Sequence, residues 1–185
     1  MSSGTDARRA DAEARRLAQV VFDRPVVLEA GAGTGKTSAL VARVVCWCLG
    51  EGWERGQARL HETARRMAPG SEAERDRVAA DVLSRVSAIT FTEAAAAEMA
   101  ERVGEALSAL ASGELSPGLL EETLPADLEE RSVRARALLG ALDHLVVRTI
   151  HAWCRRLLAR HPLESGMHPA FQVDADGSLQ AEVVR

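Results

Sequence analysis

An α/β layered fold with a mainly parallel sheet is what this sequence predicts, on three observations. Short apolar runs alternate with longer segments of helical periodicity. A glycine-rich stretch, 30–35, joins the first apolar run to the first strongly apolar helix. The chain's 185 residues, 46% hydrophobic and 27% charged, have the composition of one globular domain. A domain of this length buries roughly 70% of its unfolded surface. The composition excludes collagen-like repeats, mucin-like stalks and wholesale disorder. No apolar run approaches the ~20 residues that span a bilayer, and residues 1–16 lack the apolar centre of a secretory signal. Three cysteines (Cys46, Cys48, Cys154) without a C-x-x-C pair argue against a disulfide framework or a zinc ribbon. The expected location is a reducing cytoplasm.

The elements follow in order. Residues 6–21 read as an arginine- and alanine-rich helix ending near Phe22 and the breaker pair Arg24-Pro25. Val26-Val27-Leu28 is a short continuous apolar run, the pattern of a parallel strand buried on both faces. Lys36 to Leu49 is apolar enough for a buried helix, and Gly50-Glu51-Gly52 stops it. The charged stretch 54–84 reads as one or two exposed helices broken at Pro69-Gly70, a solvated insertion. A second strand is predicted at Val86 to Thr90. A helix follows over Thr92 to Leu110, where Met99, Val103, Leu107 and Leu110 share a face. Ser112 to Pro125 is loop-like and Asp127 to Leu142 helical. Leu145-Val146-Val147 is a third strand, and His151 to Arg160 a helix stopped by Pro162. Beyond Pro162 the signals are mixed. Three strands are few for a complete domain of this class.

Lys36 is the only lysine among 23 basic residues, and tyrosine and asparagine are absent. Such a bias fits a GC-rich genome that replaces lysine by arginine wherever chemistry permits. A surviving lysine marks a place that needs a compact point charge. It lies in Ala30-Gly31-Ala32-Gly33-Thr34-Gly35-Lys36-Thr37, between a predicted strand and a predicted helix. The glycines let backbone N–H groups converge on a phosphate, and the following helix adds its positive end. Lys36 is placed to reach the β/γ phosphates and the Thr37 hydroxyl to ligate Mg²⁺. The candidate phosphate-binding set is Ala30, Gly31, Ala32, Gly33, Thr34, Gly35, Lys36, Thr37 and Ser38. Ala30 stands where the strict G-x-x-x-x-G-K-[ST] pattern has glycine. The net charge of −4 gives no global nucleic-acid footprint, so any DNA contact must be local.

Two further segments narrow the chemistry: Ala88-Ile89-Thr90-Phe91-Thr92-Glu93 running on to Arg102, and Arg148-Thr149-Ile150-His151-Ala152-Trp153 running on to Leu158. With the glycine-rich loop, these resemble motifs I, Ia and Ic of superfamily 1 helicases of the UvrD/Rep type. Glu93, the insertion at 54–84 and Pro169-Ala170-Phe171-Gln172-Val173 are similar to the RecB/AddA helicase–nuclease branch. The resemblance implies a RecA-like P-loop NTPase fold, with residues 1–185 as the N-terminal portion of the ATP-binding domain, bearing helical insertions. It implies ATP and Mg²⁺ as cofactors, and 3′–5′ unwinding in recombination and double-strand-break repair. The implied partners are single-stranded and duplex-end DNA and a second helicase–nuclease subunit, with no membrane. Phe91 would stack on a DNA base and Thr92 would contact a phosphate. Thr149, His151 and Ala152 would touch the same strand. Such stacking contributes about 1–3 kcal/mol per base without sequence preference.

Plainer readings of the same residues stay open. Thr90-x-x-Glu93 is also a capping-box pattern, and Phe91 also suits a core position. His151 and Cys154 lie three apart on one helix face, which packing explains as well as a Cys–His nucleophile does. Asp174-Ala175-Asp176-Gly177 lacks the rest of a calcium loop and reads as a turn. Arg15 or Arg16 stands where the family has an adenine-reading glutamine, with Gln19 nearby. No apolar run ends in Asp-Glu: His144 follows Asp143, and Ala175 follows Asp174. The segment therefore reads as the front of a larger motor, inactive by itself, with the Asp-Glu strand expected beyond Arg185. A catalytically silent nucleotide-binding module is the alternative. A nucleotide kinase, with 54–84 as its lid, is a weaker one.

Overall fold

Helices dominate the structure, a computed structural model that describes residues 3–29, 31, 33, 35–63, 68–168 and 171, with side chains from Arg9 onward except that of Thr63. In chain order these are α1 (Ser3–Val20), α2 (Lys36–Leu49), α3 (Glu51–Thr63), α4 (Glu72–Ser84), β1 (Ser87–Thr90), α5 (Glu93–Ala111), α6 (Leu128–Gly140), β2 (Val146–Thr149), α7 (Ile150–Arg160) and α8 (Pro162–Ser165). Single 3₁₀ turns occupy Glu121–Thr123 and Leu142–His144. The predicted helices at 36–49, 92–110, 127–142 and 151–160 all form, within a residue or two of the expected ends.

The two strands are parallel, in register Ser87↔Val146 through Thr90↔Thr149. Between them the chain crosses over through α5 and α6, as a parallel pairing requires. The predicted first strand does not form. Val26–Leu28 is without strand pairing, and Val27 is 84% exposed. A strand buried on both faces needs hydrogen-bonded neighbours. Among the described residues β1 and β2 pair only with each other.

The core lies in the helical layer. Val45, Cys46, Cys48 and Leu49 of α2 meet Val78, Val82 and Leu83 of α4, Val103, Leu107 and Leu110 of α5, and Ala135 and Leu138 of α6. Apolar neighbours push the Cys48 thiol up to about 12, by burial first and by Cys46 second, so both α2 cysteines are packing residues. The charged segment 54–84 is no solvated insertion. Within it Val78, Ala79, Val82 and Leu83 place a full face of α4 in the core, and Trp53, just before the segment on α3, is 2% exposed. Burying one tryptophan removes at least about 150 Å² from water, roughly 4 kcal/mol of gross driving force. Charged residues on the outward faces concealed that pattern in the sequence.

Close packing explains the α2–α3 corner. Gly50 ends α2, with its N–H on the Cys46 carbonyl, and α3 starts one residue later. A Cβ on Gly52 would lie 2.7 Å from the Trp47 carbonyl oxygen. Arg134 of α6 completes the corner. Its buried guanidinium donates to the Leu49 carbonyl at 2.7 Å, pairs with Glu54 at 2.8 Å and with Glu130, and lies 5.4 Å from the centre of the Trp53 ring. A cation on the final carbonyl of α2 also suits the negative end of that helix.

At the other end of the α3–α4 hairpin, the buried Glu74 accepts from the Gly70 N–H and bonds His61 at 2.6 Å. Those partners, the Gly70 N–H foremost, hold its carboxyl below the usual 4.5. A depressed carboxyl stabilises the fold above its unfolded pKa, and that contribution disappears as pH falls through the folded value. Glu74→Gln is expected to cost about 1–3 kcal/mol at neutral pH. It should also remove part of the stability lost below pH 4.5, as urea titrations on either side of that pH would show. Gly52→Ala is expected to destabilise by about 1–3 kcal/mol through overpacking, despite alanine's better helix propensity. Thermal unfolding of the variant checks it.

Candidate functional site

Of the glycine-rich stretch, Gly31, Gly33 and Gly35 are among the described residues. Gly33 and Gly35 take left-handed φ values of 75° and 89°, which a residue with a Cβ adopts only with strain. Gly35 is the N-cap of α2, with no side-chain cap hydrogen bond among the described residues. The positive end of the helix dipole lies at this turn. Lys36 Nζ donates to the Gly31 carbonyl at 2.6 Å, so the lysine curls back over the loop it belongs to. Thr37 and Ser38 are half-buried in the same turn. Ala30, Ala32 and Thr34 lie outside the described residues.

A groove of about 740 Å³ opens on this loop, lined by Gly31, Gly33, Gly35 and Lys36 and walled by Asp11 and Arg15 of α1. Arg15 Nε donates to Asp11 Oδ2 at 2.8 Å, and Arg16 pairs with Glu13. Gln19 is turned elsewhere. It is 2% exposed; its Nε2 donates to the Gly118 carbonyl at 2.9 Å, and its Oε1 accepts from the Leu120 N–H at 3.1 Å and the Thr123 hydroxyl at 3.0 Å. Gln19 thus clamps the 118–123 loop to α1 and to Cys46 of α2, and it is not among the residues that line the groove. That clamp could have been suspected from a lone glutamine on an apolar helix face, but its partners are a hundred residues away.

Strand register brings the other two segments together. Thr90 and Thr149 are paired neighbours, so the residues that follow each strand emerge side by side at one sheet edge. Phe91 is 89% exposed and therefore not a core residue. Thr92 is the N-cap of α5, its hydroxyl accepting from the Ala95 N–H at 3.1 Å. The Thr90/Glu93 capping box does not form: the Thr90 hydroxyl donates to the Thr92 carbonyl, and Glu93 accepts from the Thr149 hydroxyl at 3.2 Å. Thr149 is buried and caps α7 through the Ala152 N–H. With that hydroxyl committed twice, Thr149 fixes the position of the loop bearing the exposed His151 and half-buried Ala152. Glu93, read in the sequence only as a cap or a family mark, is the strut between the two loops.

Asp143 is exposed in the 3₁₀ turn Leu142–His144 and is not among the residues that line the phosphate groove. Asp174 lies outside the described residues. Among the described residues no group of three His, Cys, Asp or Glu side chains is arranged to hold a metal ion. No described helix is long and apolar enough to cross a membrane.

Known proteins share this arrangement of sequence. Residues 11–185 match the model of the UvrD/REP helicase N-terminal domain. An ATP-dependent helicase/nuclease subunit of Anoxybacillus flavithermus is 30% identical over 153 residues, which is 83% of this chain and 9% of that protein. The RecBCD enzyme subunit RecB of Escherichia coli is 31% identical over 159 residues, 83% of this chain and 12% of that protein. The ATP-dependent helicase/nuclease subunit of Desulforudis audaxviator is 32% identical over 151 residues, 82% of this chain and 9% of that protein. The chain spans about a tenth of the length of these curated relatives. The matched residues show the family: this chain belongs to the UvrD/Rep helicase family, on the side of its AddA and RecB helicase–nuclease subunits.

Proposed function

We propose that this chain is the ATP-binding and single-stranded-DNA-contacting front of an ATP-dependent 3′–5′ DNA helicase of recombination and double-strand-break repair. On this reading residues 1–185 are the N-terminal portion of a RecA-like P-loop ATP-binding domain, cytoplasmic and without a membrane partner. The observation that carries it is the start of α2: two left-handed glycines, a helix end without a side-chain cap, and the chain's one lysine face a common groove. That donor set suits a polyphosphate. Backbone N–H groups from Gly31 to Ser38 would surround the phosphates, the Lys36 ammonium would leave the Gly31 carbonyl for them, and the Thr37 hydroxyl would ligate Mg²⁺. ATP supplies the phosphoanhydride whose cleavage drives translocation, and Mg²⁺ neutralises its oxygens.

The DNA side rests on the edge where β1 and β2 end. Phe91 offers an open stacking face, and Thr92, His151 and the Ala152 backbone offer polar contacts, while Thr149 and Glu93 set the spacing of the two loops. The relatives are named as subunits, which supports a partner of the same kind, a second helicase–nuclease subunit. Arg15, bound to Asp11 at the groove wall, stands in the adenine-side position. The groove's carboxylates are Asp11 and Glu29, not an Asp-Glu pair at a strand end. The chain alone is therefore proposed to bind nucleotide weakly and to turn nothing over. A nucleotide kinase would need 54–84 as a moving lid, and α3 and α4 are instead packed into the core.

Lys36→Ala is expected to abolish measurable Mg-ATP binding, with the circular dichroism spectrum unchanged because the side chain is exposed. Lys36→Arg should fail as well, since a planar fork does not replace a point charge. Calorimetric titration checks both, and undiminished affinity in the alanine variant sinks the phosphate-loop assignment. Phe91→Ala is expected to weaken single-stranded DNA binding by about 1–3 kcal/mol, with little sequence dependence and no change in ATP binding.

A further inference from the structure

A second groove, of about 410 Å³, is lined by residues at the starts of β1 and β2 and by one side of α7. Arg148 of β2 and Trp153, Arg156 and Arg160 of α7 line it, together with Ser84 and Ser87. None of the three guanidiniums pairs with a carboxylate among the described residues; most of the other described arginines on the helices do. The acidic group in the groove is Asp143, exposed and set against His144 at 4.0 Å. Arg160 foremost, then Arg148, hold the Arg156 guanidinium below the ordinary arginine range. Three like charges brought together, with no carboxylate within ion-pair distance among the described residues, are stabilised by an anion that bridges them. An aromatic face among them adds a requirement that a free phosphate does not meet.

We infer that this groove binds a single DNA strand, its phosphodiesters on Arg148, Arg156 and Arg160 and a base on Trp153. The inference rests on the DNA reading above and extends it. The strand that meets Phe91 and His151 at the edge continues past Thr149 along α7, because α7 begins at that edge and carries the arginines away from it. Spaced phosphates and a π-face are what a nucleic-acid strand supplies together, and the contact carries no base information.

The test uses the whole chain and a fluorescein-labelled oligo-dT of about 15 nucleotides, read by anisotropy from about 20 mM salt upward. The double variant Arg156→Gln/Arg160→Gln is expected to lose about tenfold in affinity at low salt. Its log–log salt slope should fall by about 1.4, the share of two phosphates on a single strand. ATP binding should be unchanged, because neither arginine lines the nucleotide groove. Oligo-dT should quench tryptophan emission, and Trp153→Phe should abolish most of that quenching while retaining most of the affinity. If the arginine variant keeps wild-type affinity and slope while Phe91→Ala is weakened, the groove is off the strand's path and the helicase reading survives. If the unaltered chain binds no oligo-dT at low salt, both readings fall. If the arginine substitutions matter only after Asp174, Asp176 and Glu182 are neutralised, the occupant is the chain's own acidic end, and the inference is overturned.

Discussion

The anchoring of α2 at its C-terminal end is the constraint on which the rest of the molecule depends. Val45, Cys46, Cys48 and Leu49 are buried among α4, α5 and α6, and Arg134 is bonded to the carbonyl of Leu49. A buried guanidinium is tolerable there because it has the Leu49 carbonyl, two carboxylates and a tryptophan face around it. Near the middle of α2, Arg43 donates to the Ala18 carbonyl at 2.7 Å and lies 4.7 Å over the Phe22 ring, which in turn meets Trp47 edge-on at 5.1 Å. Those contacts hold α2 from its middle to its C-terminal end, and its N-terminal end lines the groove through Gly35 and Lys36.

The same division between anchored and presented groups recurs at the strand ends. Thr149 and Glu93 use their polar atoms internally, and Thr92 uses its hydroxyl to start α5. What they hold outward is Phe91 and His151. Exposure of a phenylalanine at the end of a parallel strand costs hydrophobic burial, and nothing in the local fold compensates it. The loop spacing is therefore set by hydrogen bonds that tolerate substitution of the outward residues. Substituting the outward residues leaves those bonds in place, whereas at the Gln19 clamp one amide ties α1, α2 and the 118–123 loop together.

The sequence by itself determined the local chemistry. The glycines around Gly33 and Gly35 predict a tight backbone turn, Lys36 stands out as the one lysine, and the apolar spacing of α5 and the helical pattern over Asp127 to Leu142 place those helices to within a residue or two. These are short-range facts, decided by steric freedom and by side chains three and four residues apart. Tertiary structure decided the rest. Val26–Leu28 has the composition of a strand, but pairing depends on a neighbour, and no described strand lies beside it. Segment 54–84 reads as solvated because charge dominates its composition, yet one face of α4 is buried, since burial follows one side of a helix and not the average around it. Thr149 is tied to Glu93, and Gln19 clamps α1 to the 118–123 loop. In each case the partner lies 56 to 104 residues away, at a distance that only the folded chain closes.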